Sequence, residues 1–460
     1  MKKILLAMAI AGLASADLFA QTGPTVNIGG FQNTLYGVLD GGVEFGNADI
    51  GVGTKTRIQS GQGRASRLGF DGKKELNPDL SLIYRLEAGF TLDNANAFSV
   101  PTNTTNTSFS DNGGSGASPQ TFFTRDAYVG FDGKFGRIIL GRTSSHMMVE
   151  GITNDIMGAI TAATGANQLI YVPGFSIRFN NLAQYTSPDL KGFRASLGLS
   201  SGSEGNTSTA VANNGKVISL AGTYNQGPLH LTAVAQRART GLFSPPTSGA
   251  IGLTLPNVTD VGGTAACQQA AQANAASQAI GRPGTYNAAT CAFTGPTLSN
   301  SGAINQNVAA RSWMLGGKYN FGSFTVSGMV DSGTTDGLGS LGTVYKGGGW
   351  HLGVLVPFAD KHEVALAYLV GQADTILGNS VADGKAKTIG LRYRYSIDKA
   401  TTLYAAFARE QIGRGAMAPV FSNQTLTLTT SAPASSGASA LNTLPGSSPS
   451  VLQLGGYFSF

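Results

Sequence analysis

Apolar and polar residues alternate along much of the chain with a period of two, the period that puts successive side chains on opposite faces of a β-strand. The clearest stretch is 80–92, where Leu80, Leu82, Tyr84, Leu86, Ala88, Phe90 and Leu92 share one face and Ser81, Arg85, Glu87, Gly89 and Thr91 fall on the other. The first face suits lipid or a core and the second suits water. Thirteen residues of this pattern exceed the ~5–6 of an average globular strand and fit a tilted strand that crosses a membrane.

Similar runs recur in pairs. Tight reversals at 74–79, 132–136, 187–192, 225–228, 320–323, 357–361 and 396–399 each carry the Gly, Pro, Asn or Asp that a sharp turn requires. They alternate with longer polar segments near 47–63, 94–120, 146–174, 202–215, 240–308, 333–345, 375–385 and 412–449. Seven short turns at one end and eight long loops at the other predict sixteen strands. Such sorting of connections by length predicts an all-β fold, a 16-stranded antiparallel transmembrane β-barrel with short periplasmic turns and long external loops.

The two ends agree with that reading. Met1-Lys2-Lys3 followed by a short apolar run to Leu13 reads as a secretory signal peptide over 1–20, with cleavage after Ala20 or at the small-residue pattern Ala14-Ser-Ala16. That run is well short of the ~20 apolar residues a spanning helix needs. No other stretch reaches eighteen apolar residues, so a place in the membrane requires a closed barrel. The last strand, Val451-Leu-Gln-Leu-Gly-Gly-Tyr-Phe-Ser-Phe460, puts Leu452, Leu454, Phe458 and Phe460 on one face, as a lipid-facing strand at a barrel rim would. Sixty-four glycines among 460 residues, 12% charged residues and two cysteines suit one large barrel with a wet interior, occupying 21–460. The net charge of +6 comes from basic residues scattered through strands, which argues against nucleic-acid binding.

Several pieces together resemble the trimeric general porins of Gram-negative bacteria, especially the proteobacterial branch of Burkholderia, Bordetella, Comamonas and Neisseria. They are Thr34-Leu-Tyr-Gly-Val-Leu-Asp40, Ser66-Arg-Leu-Gly-Phe-Asp-Gly72, Arg125-Asp-Ala-Tyr-Val-Gly-Phe131, Phe135-Gly-Arg-Ile-Ile-Leu-Gly-Arg142, Arg178-Phe-Asn-Asn181, Tyr185-Thr-Ser-Pro188 and Phe460. They span the barrel and leave the external loops unmatched. The resemblance implies a homotrimer in contact with outer-membrane lipid and lipopolysaccharide, each subunit a water-filled pore without cofactor, passing small hydrophilic solutes and ions. It also implies that Gln453, Gly455, Phe458 and Phe460 form the signal read by the barrel assembly machinery.

In the family the third external loop, here 146–174, folds inward and faces a ladder of wall arginines. The motif matches nominate Arg67, Arg125 and Arg142 for the wall and Glu150 and Asp155 for the loop; strand parity adds Arg85 with Glu87, and position just after the loop adds Arg178. Opposed rows of charge set a field across a pore and bias which ions pass, and two loop acids against this many arginines point to a weak anion preference. A solvated wall charge or a stiffening salt bridge is the plainer role for each arginine. One strand resists the parity rule: if Arg125 faces the lumen, Asp126 and Tyr128 face outward, or the parity is reversed.

Cys267 and Cys291 lie in the longest loop segment, and export to an oxidising compartment makes a disulfide their default. The tract 431–450 is low in complexity. His146, His230, His351 and His362 are isolated, with no nucleophile motif and no metal-binding spacing, so the chain does not read as an enzyme. Two other roles fit the same scaffold: a substrate-selective channel, or an adhesin that binds through its long loops.

Overall fold

The computed structural model describes residues 23–47, 54–93, 122–158, 164, 168–169, 171–202, 216–240, 285–287, 292–294, 308–335, 345–376, 379–380, 384–413 and 448–460. The expected signal peptide, Cys267, Cys291 and nearly all of the tract 431–450 lie outside them.

In chain order the strands are β1 (Thr25–Ile28), β2 (Phe31–Asn47), β3 (Thr54–Ser60), β4 (Arg67–Asn77), β5 (Leu80–Gly89), β6 (Ala127–Gly133), β7 (Gly136–Ser144), β8 (Arg178–Thr186), β9 (Phe193–Ser201), β10 (Lys216–Gln226) and β11 (Leu229–Thr240). There follow a small separate hairpin of β12 (Thr285–Asn287) and β13 (Ala292–Thr294), then β14 (Val308–Asn320), β15 (Thr325–Thr335), β16 (Tyr345–Phe358), β17 (His362–Ile376), β18 (Asn379–Ser380), β19 (Lys385–Ser396), β20 (Thr401–Ile412) and β21 (Ser450–Ser459). Sequential neighbours pair antiparallel, and β21 pairs with β2 from Val38↔Ser459 to Asn47↔Ser450, which closes the sheet.

Sixteen full strands make the barrel. β3 and β4 run end to end along β2 and count as one, β1 pairs with the start of β2 where β21 ends, and β18 is a two-residue flap on β17. The break between β3 and β4 is held by Asp40, whose buried carboxylate accepts from the amides of Gln62, Gly63 and Arg64 at 2.8–2.9 Å and from the Tyr404 hydroxyl at 2.9 Å. All seven tight reversals read from the sequence join paired strands.

Alternation works as a membrane barrel requires. On β10, Ile218 and Leu220 point outward and are 54% exposed, while Val217 and Ser219 are buried inside. The apolar core lies inside the barrel. Met147, Leu169, Val172 and Phe175 of the segment between β7 and β8 pack on the inward-facing Ala221, Val234, Met314 and Met329. That segment opens with a helix, α1 (His146–Thr153), whose first turn is capped by Ser145 Oγ accepting from the Met148 amide at 3.1 Å.

Candidate pore constriction

Inward-facing charges of β4, β5 and the approach to β6 collect around two buried carboxylates. Glu87 on β5 pairs with Arg125 and with Arg67 (3.4 Å), and accepts from the Tyr36 hydroxyl at 3.1 Å. Asp126 faces Arg178 at 3.7 Å and Arg85 at 3.8 Å. Arg85 also grips Asp71 with two bonds of 2.6 and 2.7 Å, its guanidinium lying 5.5 Å from the Tyr36 ring centre. Two-point Arg–carboxylate pairs fix orientation as well as charge. The arginines of this wall are therefore ion-paired, but guanidinium groups outnumber carboxylates, four (Arg67, Arg85, Arg125, Arg178) to three (Glu87, Asp126, Asp71).

The parity conflict around Arg125 resolves against the outward placement of its neighbours. Val129 and Phe131 are the exposed outer residues of β6, so Asp126 and Tyr128 share the inner face. Arg125 precedes the first residue of β6 and sits at a bend, which frees it from the strand's alternation and lets it reach Glu87.

Arg142 stands at the edge of the group, near enough for its charge to act on Arg178. It pairs with Ala127 in the alternation that carries Ile138 and Leu140 outward, and its guanidinium turns to the Thr124 carbonyl at 3.0 Å and to Asn180. Thr143, next in the chain, is the inner residue and reaches Asp126 at 3.4 Å. The register of β7 on β8 shifts between Gly141 and Thr143, so the alternation breaks at Arg142.

The loop acids face basic groups of the wall, Glu150 and Asp155 both acting on Lys318 and Asp155 on Arg392 as well. Glu150 lies against the wall of β11 and β14, 3.8 Å from His230 and beside Lys318. Asp155 accepts from the Met157 amide at 2.9 Å and from the Thr164 hydroxyl. Both help to seat the loop. Burial pushes the Glu150 carboxyl up to about 7, with Thr232 and Lys318 pulling the other way, and pushes the His146 imidazole down to about 4.

The seat itself was not legible in the sequence. Lys318 Nζ donates to the Thr153 carbonyl at 3.0 Å and His351 Nε2 lies 3.1 Å from the Asn154 carbonyl. Arg392 donates to the Met157 carbonyl and Arg394 to the Gly158 carbonyl at 2.7 Å, both arginines sharing Glu363. Tyr345 and Gln236 bond the carbonyls of Tyr171 (2.8 Å) and Gly174 (2.6 Å). These groups come from β11, β14, β16 and β19, far along the chain from the loop.

Between loop and wall lies an open cavity of about 580 Å³, with Arg85, Asp126, Tyr128, Arg137 and Arg194 on the wall side and Val149 of α1 on the loop side. Among the described residues no group of His, Cys, Asp or Glu is placed to hold a metal ion.

A family model described as "Gram-negative porin" matches residues 4–297 and 247–412. An outer membrane porin protein of Delftia acidovorans is 25% identical over 417 residues, 89% of each chain. An outer membrane porin protein of Bordetella pertussis is 26% identical over 258 residues, which is 50% of this chain and 58% of the relative. Among solved structures, an anion-selective porin from Comamonas acidovorans superposes with a TM-score of 0.62 at 19% identity, covering 94% of this chain and 100% of that one. The OmpF of Salmonella typhi gives 0.55 at 13% identity, over 95% and 100%. These two likenesses establish the fold.

Proposed function

The chain belongs to the Gram-negative porin family, a barrel-shaped channel of the outer membrane, and from that premise we propose that it is a passive, weakly anion-preferring pore for small hydrophilic solutes and ions. The observation that carries this reading is the division of labour at the constriction. Arg67, Arg85, Arg125 and Arg178 line the wall with fewer carboxylates than guanidinium groups, while Glu150 and Asp155 lie on the loop against a different stretch of the wall. A pore lining with surplus fixed positive charge lowers the barrier for anions. The Comamonas acidovorans porin that shares the fold is anion-selective, which supports the same direction.

The proposal includes a homotrimer, each barrel conducting on its own. It also includes recognition of the last strand by the assembly machinery. There Phe458 is exposed on the outer face and stacks with Phe460 at 5.9 Å, whereas Gln453 points inward to Glu44 at 2.7 Å. Gly455 passes so close to Tyr404 that an added Cβ would lie 2.5 Å from its hydroxyl.

Swelling of liposomes that hold the purified protein tests the channel reading. Uptake of neutral sugars at rates that fall smoothly with solute size, without saturation, is the expected result. Saturable uptake of one solute would replace it with a substrate-selective channel, and intact liposomes around folded protein would favour an adhesin.

A further inference from the structure

The break between β3 and β4 has a use beyond interrupting a strand. Along β2, Val38 pairs with Arg67 and Gly41 with Ser60, so the six residues 61–66 stand opposite two, Leu39 and Asp40. Extra residues on one strand of a pair bulge from the sheet and re-aim their side chains. Here the two ends of the bulge are drawn together. The Ser60 and Ser66 hydroxyls lie 3.1 Å from each other and 3.1 and 3.2 Å from the Asp40 carbonyl, and Ser66 Oγ accepts from the Asp40 amide at 3.0 Å. Gly61, Gln62 and Gly63 are buried on the lumen side, where a Cβ on Gly63 would lie 2.6 Å from the Tyr404 ring and 2.8 Å from the Asp40 carboxylate.

The bulge carries Arg64 into the lumen with it. Its half-buried side chain lies over the ring of Tyr457, an inward-facing residue of β21, with the guanidinium 4.9 Å from the ring centre. A guanidinium over a ring is attracted through its charge and keeps its N–H donors for other acceptors. Arg67, Arg85, Arg125, Arg178, Arg392 and Arg394 each face a carboxylate. Among the described residues Arg64 forms no ion pair; the Asp40 carboxylate accepts from its backbone amide, at 2.8 Å, and not from its guanidinium. Its charge acts on Arg67 on one side and, together with that of Arg394, on the Tyr457 hydroxyl on the other. The basic lining thus continues from β4 across the seam where β21 closes on β2, as far as β19.

We propose that Arg64 is a further selectivity residue of the pore, an unpaired cation at the seam that meets halide and carboxylate anions in passage, and that Asp40 positions it by holding the bulge. This rests on the channel reading and deepens it. The nominated wall arginines do not substitute for Arg64, because each shares its charge with a carboxylate of its own. Asp40 touches no solute. Its carboxylate and backbone are taken up by the bulge and by Tyr404, so it acts only through the side chain that the bulge presents.

The test is the zero-current potential of single channels in planar bilayers under a potassium chloride gradient. Arg64→Gln is expected to lower the anion-to-cation permeability ratio about twofold, whereas Arg409→Gln, which removes the same charge from the exposed outer face of β20, is expected to match wild type. Asp40→Asn separates the two roles by sign. Loss of a carboxylate that acts only by its charge moves the potential further toward the anion value; loss of the group that positions Arg64 moves it toward zero, the expected result. Ser66→Ala, which loosens the bulge without changing charge, is expected to move it the same way and serves if Asp40→Asn does not fold. Arg64→Cys is expected to regain its lost anion preference on treatment with a cationic methanethiosulfonate, with treated wild type as the blank for Cys267 and Cys291. A wild-type potential in Arg64→Gln, an equal shift in Arg409→Gln, or no recovery on cationic modification would overturn the role of Arg64 and leave the channel standing. A shift toward the anion value in Asp40→Asn, or no shift in Ser66→Ala, would overturn the positioning. Folded wild type that opens no channels would overturn both this proposal and the channel reading.

Discussion

At the scale of single residues, Glu87 is the most deeply buried carboxylate of the candidate constriction. It holds Arg67 and Arg125 together while shielded from water, and removal of one partner from a buried ion pair costs about 3–5 kcal/mol. Glu87→Gln is expected to lower the unfolding midpoint in denaturant and to shift the zero-current potential further toward the anion value; an unchanged selectivity would mean that Glu87 does not face the ion path. Glu150 gives a pH dependence of opposite character. Its carboxyl sits at about 7 in the folded loop against 4.5 as a free group, so its neutral form is stabilised by folding. That contribution is complete below pH 4.5 and is lost as pH rises through 7. His146, lowered from 6.5 to about 4, works the other way: its contribution holds above 6.5 and is lost as pH falls through 4. The protection factors of the amides across α1 are expected to fall between pH 6 and 8 in the wild type and to stay level in Glu150→Gln. The residue types for this chemistry were readable from sequence, since Arg67, Arg85, Glu87, Arg125 and Arg178 were nominated and meet. The release of Arg125 from its strand's alternation was not, because the bend before β6 leaves no mark in composition.

At the scale of elements, the inward loop is held by a polar row and an apolar patch acting together. Gly158 is the tightest point of the polar row. Its φ of +67° is unfavourable for any residue with a Cβ, and an added Cβ would lie 2.5–2.8 Å from the guanidinium groups of Arg392 and Arg394. Gly158→Ala is therefore expected to unseat the end of the loop and raise open-channel noise severalfold. Gly322→Ala, also at positive φ (+91°) but with nothing within 4 Å, is the matched control and should cost ~1 kcal/mol of stability with quiet openings. Equal noise in both would place the loop's restraint elsewhere. The loop's existence was legible from its length between paired strands. Its partners were not, since Lys318, His351, Arg392 and Arg394 lie on strands many turns away and nothing in their local pattern points to the loop.

At the scale of the whole molecule, the strand pairing follows from local pattern. Period-two alternation and seven turn motifs yielded the sixteen-strand barrel because, among the described residues, barrel strands pair with their neighbours in chain order, and the closure of β2 on β21 joins the two ends of that order. The fold thus asks little of distant residues, whereas the pore asks a great deal: wall and loop meet only once the sheet has closed. The central claim is that the wall arginines, and not the loop acids, set ion preference. The measurement that tests it most directly is the zero-current potential of single channels in planar bilayers under a tenfold salt gradient, for wild type, Arg125→Gln and the loop pair Glu150→Gln/Asp155→Asn. The account predicts a potential on the anion side for wild type, a shift toward zero for Arg125→Gln, and little change for the loop pair. A cation-directed potential in the wild type, or a shift produced by the loop pair and not by Arg125→Gln, would contradict it.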